Sequence, residues 1–547
     1  MSEKKVLIIG GVAGGASCAA RLRRLDESAE IQLIDRGPHV SFANCGLPYF
    51  IGGLIPAEQD LPLADARLFR ERFGIRVRTG TEAVAIDRAA RTVTLRDVST
   101  GAESQETYDA LVLSPGASPI RPPWPKLDGV FTLRTIPDSV AIKEWIATKK
   151  PRKAVVIGGG FIGLEMADNL VHLGLGVTVV EMLDQVMPPL DPEMAAYVEA
   201  HLEASGVKTA LGDGVARLES ADNGELVVRT ASGQEHRAGL VVLAIGVKPE
   251  TRLAEEAGLE LGARGIKVDE QMRTSDPHIW AVGDAVEVRE AVLGGRVVVP
   301  LAGPANRQGR VAADSICGRA SRFRGIQGTA ICGVFGLQVA STGLSEKALV
   351  RAGIEGFEKV YLHPNQHAGY YPGAKPMHLK LLFEKATGRI LGAQGVGLDG
   401  VDRRIDLIAM AIQMYGTVAD LAEAELCYAP QFGGAKDPVN LAGMIATNVV
   451  QGDHPLAHWN VPPKGEVILD VREKHEFEAG HVAGAVNIPL GQLRSRIDEL
   501  RGWGEILVYC QAGQRGYIAT RILLQHGIPA RNISGGWAMP NAWGRAA

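Results

Sequence analysis

Short apolar runs that end in glycine turns recur along the first half of the chain. Residues 5–9 form one such run. It leads through the glycine-rich residues 10–15 into a helical pattern ending at Leu25, and then into a second apolar run at residues 31–35. Two short buried strands joined by a helix of this length are typical of a parallel βαβ unit. The pattern therefore predicts a doubly wound α/β domain in this part of the chain.

The same pattern returns further along the chain. A strand is expected at residues 154–157, a glycine turn at 158–163, a helix to about Leu173 and another strand at 177–181. Further buried-strand signals that end in glycine turns lie at residues 111–116, 241–246 and 279–284. Two βαβ units of this kind predict two dinucleotides bound near each other.

The glycine turns stop at about residue 325, and the pattern changes. Strand-like residues 378–383 and a helical pattern at 405–414 indicate a separate α+β domain, and the polar, proline-bearing residues 451–464 are typical of a linker. A compact α/β unit is expected after the linker, with strands at residues 467–471, 485–488 and 506–509.

Composition limits the class of protein. The chain has 547 residues, 46% of them hydrophobic and 22% charged, and a formal net charge of −4. A protein this close to neutrality is not expected to bind nucleic acid in general, and no apolar run approaches the ~18 residues that span a bilayer. We expect no membrane association. Because the chain leads directly into a strand without a signal peptide, we also expect a cytoplasmic protein.

Cysteine is sparse, so each thiol is considered by itself. Six cysteines are scattered along the chain, which excludes a disulfide framework, and no C-x-x-C pair suggests zinc or another metal. Four of them are interpreted as small buried residues: Cys18, Cys317, Cys332 and Cys427. The other two, Cys45 and Cys510, lie in sequences that predict reactive thiols.

The second glycine turn carries an intact dinucleotide fingerprint, with Gly158, Gly160 and Gly163 between a strand and a helix. Such a turn lets phosphate approach backbone N–H groups at a helix N-terminus. Glu181 ends the next strand, where a carboxylate binds a ribose hydroxyl and repels a 2′-phosphate. This residue favours NADH over NADPH.

The first glycine turn is imperfect, because Val12 occupies the middle glycine position. Asp35 still ends the following strand, where a ribose-binding acid is expected. A later Asp284 follows a buried strand and has the chemistry to bind a ribityl hydroxyl of a flavin. Together these residues predict a second dinucleotide site.

The segment S-F-A-N-C-G-L-P-Y at residues 41–49 contains the first candidate nucleophile, Cys45. Asn44 is expected to cap a helix and Pro48 to lie in its first turn. A thiol at a helix N-terminus has its thiolate stabilised. No second cysteine lies within a turn, so the thiol is expected to form a mixed disulfide, a persulfide or a sulfenic acid.

The second candidate nucleophile, Cys510, is expected to end a strand. A glycine-containing loop follows it and enters a helix at about Tyr517. Consecutive N–H groups of such a loop, together with the helix N-terminus, form an anion nest that stabilises a thiolate or a persulfide. Arg515 adds positive charge, so the segment has the design of a sulfur-transfer loop.

The order of the two fingerprints and the segment A-V-G-D-A around Asp284 resembles the two-dinucleotide-binding flavoprotein disulfide reductases over residues 1–450. The resemblance implies FAD at the first site and NAD(P)H at the second. The positions it assigns to FAD are Gly10, Val12, Ala13, Gly14, Gly15, Asp35, Arg36, Gly116, Asp284 and Ala302. The positions it assigns to NAD(P)H are Gly158, Gly160, Gly163 and Glu181.

The S-F-A-N-C-G-L-P-Y segment resembles the coenzyme A-disulfide reductase subgroup, in which a single cysteine attacks CoA disulfide or CoA persulfide. Related NADH oxidases and peroxidases usually carry a histidine in the first glycine turn, which is absent here. The resemblance implies a homodimer, bound coenzyme A, and hydroxyls of Tyr428 and of Tyr370 or Tyr371 near the reactive sulfur. The positions it assigns to CoA are Ser17, Arg21, Arg24, Ser41, Asn44 and Lys436.

Residues 462–547 resemble the rhodanese family, through D-V-R-E, G-H, G-A-x-N-I-P and C-x-x-G-x-R. This resemblance implies that Cys510 carries sulfane sulfur. Gln511 stands where many sulfurtransferases have arginine, which counts against thiosulfate as the donor.

The expected fold is α/β, with two Rossmann-like domains for FAD and NAD, an α+β dimerisation domain and a C-terminal α/β rhodanese domain. The expected boundaries are 1–151 and 247–324 for FAD, 152–246 for NAD(P)H, 325–450 for dimerisation, 451–464 for the linker and 465–547 for rhodanese.

The combination predicts an NADH-dependent FAD enzyme that reduces CoA persulfide, polysulfide or CoA disulfide through Cys45, with Cys510 as sulfur carrier. Two alternatives stay open at this point. One is a CoA-disulfide reductase with an accessory rhodanese domain, and the other is a redox-sensing sulfurtransferase scaffold.

Overall fold

A computed structural model describes residues 4–221, 224–540 and 545–546 of the chain. The chain forms two compact units. The first unit comprises Met1–Asp184 and Gly206–Gly328, and the second comprises Gln185–Ser205 and Thr329–Ala547. The segment Gln185–Ser205 lies within the range predicted for the NAD(P)H-binding domain, 152–246, but belongs to the second unit.

The first unit contains two parallel sheets. The strand order of one is Ile279–Ala281, Ala110–Leu113, Lys5–Ile9, Glu30–Ile34 and Arg76–Arg78. The strand order of the other is Lys208–Ala210, Gly176–Val180, Lys153–Ile157, Leu240–Leu243 and Val130–Thr132. Both sheets pair the central strand with its neighbours in parallel register, which confirms the doubly wound α/β expectation.

Smaller antiparallel sheets and the helices complete the first unit. The sheets comprise Thr81–Asp87 with Thr92–Asp97 and Glu103–Thr107, Val215–Ser220 with Leu226–Thr230 and Glu235–Ala238, and Ala117–Pro119 with Val247–Pro249. A mixed sheet joins Ile266–Lys267, Val286–Arg289 and Arg296–Val297. The α-helices span Ala13–Leu25, Leu47–Ile51, Ala66–Phe73, Ile136–Lys149, Phe161–His172, Arg252–Glu256 and Ala302–Ile316.

The second unit begins with the helix Pro192–Ala204 and an antiparallel sheet. The strand order of this sheet is Ala330–Val334, Leu337–Gly343, Ile390–Gly397, Met377–Glu384 and Phe357–Leu362. The helices around it span Glu346–Arg351, Val401–Gln413, Val418–Glu423 and Pro438–Val450. This is the α+β arrangement expected for the dimerisation domain.

A parallel sheet forms the last part of the second unit. Its strand order is Leu456–Ala457, Ala530–Ile533, Ile506–Tyr509, Val467–Asp470 and Val486–Asn487. The helices Lys474–Glu478, Leu490–Leu493 and Gln514–Gln525 pack around it, and His481–Val482 pairs with Arg545–Ala546. Residues 451–464 are therefore more than a linker, because Leu456–Ala457 is an edge strand of this sheet and Trp459 is buried.

Lys380 is the most deeply buried cation of the antiparallel sheet, with none of its side chain exposed. Its ammonium contacts Asp191 at 2.8 Å, Glu193 at 2.5 Å and Glu346 at 2.7 Å. Burial alone would raise the pKa of the Asp191 carboxyl, but Lys380 and the N–H groups of Glu346 and Lys347 hold that pKa below its usual value. The ammonium lies among the carboxylates, so the group is interpreted as structural.

Candidate active site

The first glycine turn fits a dinucleotide phosphate by its shape. Gly10 has a φ of 95°, and a Cβ there would lie 1.9 Å from the Ser114 carbonyl oxygen. Gly15 begins the helix side of the turn and donates its N–H to Ser114 Oγ at 3.1 Å. Only glycine fits at Gly10, because the φ angle there is positive and the Ser114 carbonyl leaves no room for a Cβ. The turn therefore presents little side-chain bulk at the N-terminus of the helix Ala13–Leu25, where a phosphate is bound in folds of this kind.

Asp35 holds the same turn from the next strand. Its Oδ2 accepts the N–H of Gly11 at 2.8 Å and its Oδ1 accepts the N–H of Gly37 at 2.7 Å. Burial raises the pKa of the Asp35 carboxyl, although both N–H groups favour its ionised form. The carboxylate thus lies at the edge of the glycine turn, where the sequence analysis expected a ribose-binding acid.

The second glycine turn repeats this arrangement with Glu181. Glu181 Oε2 accepts the N–H of Gly159 at 2.7 Å, and Oε1 accepts the N–H of Leu183 at 2.9 Å. A Cβ at Gly163 would lie 1.9 Å from the Gly158 carbonyl oxygen, whereas one at Gly160 would meet open space. Gly160 is the N-cap of the helix Phe161–His172, and the open space beside it leaves room for a pyrophosphate at that helix N-terminus.

Asp284 and Ala302 lie at the far edge of the first sheet. Gly283 precedes Asp284, has a φ of 86° and donates its N–H to Gln308 Oε1 at 2.7 Å. Gln308 belongs to the helix Ala302–Ile316, which packs against Ala13–Leu25. Gln308 is a residue that the sequence analysis missed. Its contact becomes visible only when that helix is folded against the sheet.

Two further predicted FAD residues have ordinary contacts. Gly116 has a φ of 73°, and a Cβ there would lie 2.5 Å from a guanidinium nitrogen of Arg134. Arg36 is exposed and lies 3.7 Å from a carboxylate oxygen of Glu82. Gly116 thus has a structural reason to be glycine, while Arg36 remains free to reorient toward a ligand.

Cys45 lies in a short 3₁₀ helix, Asn44–Gly46, just before the helix Leu47–Ile51. Pro48 occupies the first turn of that helix, as expected. The expected cap is wrong, because Gly46 is the N-cap residue and no side chain caps the helix. Asn44 instead begins the 3₁₀ turn. A helix of five residues contributes little dipole to the sulfur.

The surroundings of Cys45 disfavour its thiolate, which corrects the expectation of a stabilised anion. The side chain is accessible to solvent, yet partial burial raises the pKa of the Cys45 thiol, and the carboxylates of Glu165 and Asp284 raise it further. Burial also raises the pKa of Glu165 to about 7, against a hydrogen bond from Tyr49 at 3.2 Å. Glu165 therefore exchanges a proton near neutral pH beside the thiol.

Replacing Glu165 by glutamine is expected to lower the pKa of Cys45, because a neutral amide removes the repulsion felt by the thiolate. The measurement is the rate of iodoacetamide alkylation at Cys45 in the oxidised holoenzyme, by peptide mapping, from about pH 6 to about pH 9. The midpoint of the profile is expected to fall by up to about one pH unit. The exposed Glu256→Gln is the matched control, and a Glu165→Gln profile equal to wild type would contradict the assignment.

The helix Ala13–Leu25 carries most of the predicted CoA positions, and they differ in availability. Arg24 is exposed. Arg21 pairs with Asp314 at 2.8 Å, and Ser17 is hydrogen-bonded to Asn306. Arg23, on the same helix, is buried against main-chain carbonyls of Phe73, Asp26, Glu27, Ala29 and Gly74. Arg24 is thus the cation of this helix most available to a phosphate, while Arg23 is structural.

Ser41 lies between the first glycine turn and Cys45. It adopts a left-handed φ of 45°, donates its N–H to the Gly11 carbonyl at 2.8 Å and accepts the N–H of Leu63 at 2.7 Å. These bonds hold the strained residue in place. They also fix the path of the chain from the glycine turn to the thiol.

In the second unit, Tyr370 and Tyr428 form a hydroxyl pair 2.9 Å apart, and both side chains are exposed. The hydrogen bond between the two hydroxyls raises the pKa of Tyr370, because it stabilises the neutral form of that hydroxyl. Tyr371 instead packs the edge of its ring against His367, with centroids 5.6 Å apart. Between Tyr370 and Tyr371, the geometry thus joins Tyr370 to the later tyrosine.

A buried ion pair anchors the segment that carries Tyr428 and Lys436. Arg404 contacts Asp437 at 2.8 Å, and both side chains are 2% exposed. Asp437 also caps the helix Pro438–Val450, while Lys436 beside it is exposed. The neighbouring Cys427 is exposed rather than buried, which corrects one of the interpretations made from sequence. Cys18 and Cys332 are buried as expected, and Cys317 is half-buried.

Cys510 follows the strand Ile506–Tyr509 and is 1% exposed. Its sulfur accepts the N–H of Gly513 at 3.1 Å. The helix Gln514–Gln525 begins directly after Gly513, three residues earlier than expected. The N–H of Gly513, at the start of this helix, therefore lies within hydrogen-bond distance of the sulfur, as expected for an anion nest.

Arg515 is less free than expected. Its guanidinium forms two hydrogen bonds with the Glu476 carboxylate, at 2.6 and 2.8 Å. Arg515 in turn holds the pKa of Glu476 down at about 2. The guanidinium also interacts with Cys510, so Arg515 and the N–H of Gly513 both act on a sulfur anion there. Gln511 is exposed at the start of the loop.

Family models match nearly the whole chain. Residues 4–309 match the pyridine nucleotide-disulphide oxidoreductase family and residues 329–437 match its dimerisation domain. The chain belongs to this family. Residues 458–542 match the rhodanese-like domain.

Relatives and solved structures agree with this oxidoreductase assignment. The coenzyme A disulfide reductase of Staphylococcus haemolyticus is 33% identical over 448 residues, which covers 82% of this chain and 100% of that protein. The crystal structure of reduced Bacillus anthracis CoADR-RHD has a TM-score of 0.96 and 48% identity, covering 98% of each chain. The NAD-dependent persulfide reductase of A. fulgidus has a TM-score of 0.91 and 39% identity, covering 98% of this chain and 100% of that one.

The oxidoreductase is therefore an enzyme of the flavin-dependent pyridine nucleotide class, fused to a rhodanese-like domain. The resemblances to the flavoprotein disulfide reductases, to the coenzyme A-disulfide reductases and to the rhodanese family are confirmed. The family implies FAD and NAD(P)H. The two glycine turns have little side-chain bulk, and Asp35 and Glu181 place an acceptor carboxylate at each turn, which fits the diphosphate and ribose of these groups. Among the described residues, no helix is both long and apolar enough to cross a membrane.

Proposed function

We propose that the enzyme uses NADH to reduce CoA persulfide, and CoA disulfide by the same chemistry, through Cys45, while Cys510 carries sulfane sulfur. The observation that carries the proposal is the pair of isolated thiols in one oxidoreductase. Cys45 is accessible beside carboxylates, and Cys510 lies at an N–H-lined helix start. The similarity to a persulfide reductase over 98% of this chain supports it.

The chemistry at Cys45 balances for either substrate. Its thiolate attacks the CoA-bound sulfur of CoA–S–SH, forms the mixed disulfide Cys45–S–S–CoA and expels HS⁻. Two electrons from NADH then break this disulfide into the Cys45 and CoA thiolates. The sum is NADH + H⁺ + CoA–S–SH giving NAD⁺ + CoA–SH + H₂S. With CoA disulfide, the first leaving group is the CoA thiolate instead.

FAD, when bound, supplies the route by which the electron pair passes from NADH to the disulfide. The first glycine turn, from Gly10 to Gly15, and Asp35 hold its diphosphate and ribose. The side chain of Asp284 lies at the sheet edge as an acceptor for a further hydroxyl. Asp284 lies 4.0 Å from Arg134, which partly offsets the rise in its pKa caused by burial.

NADH is the proposed nicotinamide cofactor. Glu181 has both carboxylate oxygens fixed by backbone N–H groups, so it cannot swing away from the glycine turn without losing two hydrogen bonds. A fixed carboxylate accepts a ribose hydroxyl and repels the 2′-phosphate of NADPH.

Coenzyme A is the proposed carrier thiol, with its phosphates bound by exposed cations. Arg24 and Lys436 are the candidates with exposed side chains. Ser17, Arg21, Ser41 and Asn44 remain candidates at the positions assigned by resemblance. We assign the protonation of a leaving thiolate to the hydroxyl pair of Tyr370 and Tyr428, which forms within one protomer, and propose that the enzyme acts as a homodimer. The dimerisation domain supports such a homodimer.

Cys510 is proposed to receive sulfur from polysulfide. Its thiolate attacks a terminal sulfur of the polysulfide, which becomes one atom shorter, and Cys510 becomes a persulfide. The CoA thiolate then takes the outer sulfur, which yields CoA–S–SH and restores Cys510. The N–H of Gly513 stabilises the anion before and after transfer.

A CoA-disulfide reductase with an accessory rhodanese domain is the second candidate, favoured by relatives such as the S. haemolyticus enzyme. Membership in an oxidoreductase family favours either enzyme over a redox-sensing scaffold. The two enzyme candidates differ in whether Cys510 feeds the reductive half.

Replacing Cys510 by serine separates these candidates. NADH oxidation with CoA disulfide is expected to be unchanged, because that reaction needs only Cys45. NADH oxidation driven by inorganic polysulfide and catalytic CoA is expected to fall about tenfold or more, because the sulfur relay is lost. Both rates are followed anaerobically at the NADH absorbance. Equal rates for variant and wild type on polysulfide would favour the accessory-domain candidate.

A further inference from the structure

Residues 534–539, here called the support loop, hold the backbone that carries Cys510. The backbone N–H of Trp537 donates to the Cys510 carbonyl at 2.8 Å, and the backbone N–H of Ala538 donates to the Gln511 carbonyl at 2.8 Å. A Cβ at Gly536 would lie 2.4 Å from the Cys510 carbonyl oxygen, and Gly536 has a φ of 61°. The two segments are therefore in close backbone contact.

This contact orients the peptide groups that follow Cys510 and lead to the N–H of Gly513. In a planar trans peptide, the C=O and the N–H point in opposite directions. When the carbonyls of Cys510 and Gln511 point into the support loop, the next N–H groups, of Gln511 and Ala512, point away from it. The N–H of Gly513 reaches the Cys510 sulfur at 3.1 Å. The support loop thus sets the direction of successive donors in the anion nest.

The opposite side of the support loop is held from outside the rhodanese sheet. Tyr197, on the helix Pro192–Ala204, donates its hydroxyl to the Ala538 carbonyl at 2.9 Å. His363 Nε2 lies 3.0 Å from the Gly535 carbonyl oxygen. Each contact supplies a hydrogen-bond donor to a carbonyl of the support loop, and leaving such a carbonyl unpaired is costly. Both contacts therefore restrain the support loop.

His363 and Tyr197 are themselves locked by His378. A carbonyl oxygen has no hydrogen to donate, so His363 carries its proton on Nε2 and donates it to the Gly535 carbonyl. His363 Nδ1 then accepts from His378 Nδ1, 2.8 Å away. Burial lowers the pKa of His363 to about 3 and that of His378 to about 4, which keeps both rings neutral. The His378 ring also stacks on Tyr197, with centroids 3.8 Å apart. These contacts leave little freedom to either donor.

We propose that Tyr197 and His363 are positioning residues for sulfur transfer at Cys510, acting through the support loop on the N–H groups that stabilise its anion. The proposal rests on the function proposed for Cys510. It makes the nest of the rhodanese-like domain dependent on a helix and a strand-end histidine that lie outside that domain.

The test is the pH profile of iodoacetamide alkylation at Cys510 in the full-length holoenzyme, by peptide mapping. Tyr197→Phe and His363→Leu are expected to raise the midpoint by about one pH unit, which slows alkylation about tenfold below the midpoint. His363→Gln is expected to restore much of the wild-type profile, because its amide can donate to the Gly535 carbonyl. Reduction of CoA disulfide by NADH is expected to be unchanged.

Tyr361→Phe is the matched control. The Tyr361 hydroxyl bonds to Glu193, and Tyr361 reaches the support loop through its backbone N–H to Ser534, which the substitution keeps. Its Cys510 profile is expected to match wild type. A purely destabilising effect would expose the buried Cys510 and speed alkylation. Unchanged midpoints in Tyr197→Phe and His363→Leu, faster alkylation in them, or an equal shift in Tyr361→Phe, would each overturn the proposal.

A separate experiment tests whether Cys510 carries sulfur at all, which is the function on which the positioning role rests. The probe is sodium tetrasulfide, and the readout is persulfide at Cys510 by mass spectrometry of the wild-type enzyme. A wild-type Cys510 that takes up no sulfur contradicts the proposed sulfur carrier, whereas the alkylation profiles decide the positioning role.

Discussion

Cys45→Ser is expected to reduce NADH-driven turnover of both CoA persulfide and CoA disulfide by roughly a thousandfold or more. A serine hydroxyl is far less acidic than a thiol and forms no disulfide, so the mixed disulfide with CoA is not formed. Reduction of the flavin by NADH is expected to persist, because the glycine turns and Glu181 are unaffected. Stopped-flow absorbance separates the two half-reactions.

Cys427→Ser is the matched control for this variant. Cys427 is also exposed, and its sequence surroundings predict no nucleophile. Its turnover is expected to match that of the wild type. A Cys45→Ser enzyme that keeps its turnover with either substrate would contradict the central role given to Cys45.

Lys380→Met is expected to cause the largest loss of stability. The substitution removes the cation that Asp191, Glu193 and Glu346 share. The Asp191 side chain is 1% exposed, so water cannot compensate its charge. Removing one partner of a buried ion pair costs about 3–5 kcal/mol. The measurement is hydrogen exchange by mass spectrometry on the strand Met377–Glu384, which is expected to lose protection to that extent.

The loss in Lys380→Met is expected to depend on pH in a definite direction. In the wild type, Lys380 holds the pKa of Asp191 and Glu346 below their usual values. Without it, burial raises the folded-state pKa above the unfolded one, so the folded form binds more protons. Stability relative to wild type therefore falls as pH rises from about 4 to about 7 and recovers in acid.

Lys359→Met is the control for this effect. Lys359 contacts Glu346, and its replacement leaves Lys380 to compensate all three carboxylates. We therefore expect a smaller loss of stability in Lys359→Met than in Lys380→Met. If Lys380→Met keeps wild-type protection, or if its deficit grows toward acid pH, the charge account of this cluster is wrong.

Much of the fold was predictable because its signals are local. The strand Lys5–Ile9, the helix Ala13–Leu25 and the strand Ile506–Tyr509 each appear where periodicity and glycine turns place them. The predicted linker was wrong in part, because the short polar run hides Leu456–Ala457. An edge strand of two residues is too short to show an alternation of apolar and polar positions, so only its pairing with Ala530–Ile533 identifies it.

The candidate site was predictable in its motifs and unpredictable in its environment. The residue types around Cys45 and Cys510 signal thiol chemistry. The raised pKa of Cys45, in contrast, depends on burial and then on Glu165, and both arise only when residues distant in sequence pack around the thiol. The same holds for Tyr197 and the support loop, whose contact joins residues far apart along the chain.

The most direct test of the account is anaerobic NADH oxidation with CoA persulfide, with sulfide quantified in the same vessel. The account predicts one sulfide and one CoA thiol for each NADH consumed, with Cys45 required. NADH oxidation on CoA disulfide without sulfide from CoA persulfide would contradict it, and would leave Cys510 without its proposed role.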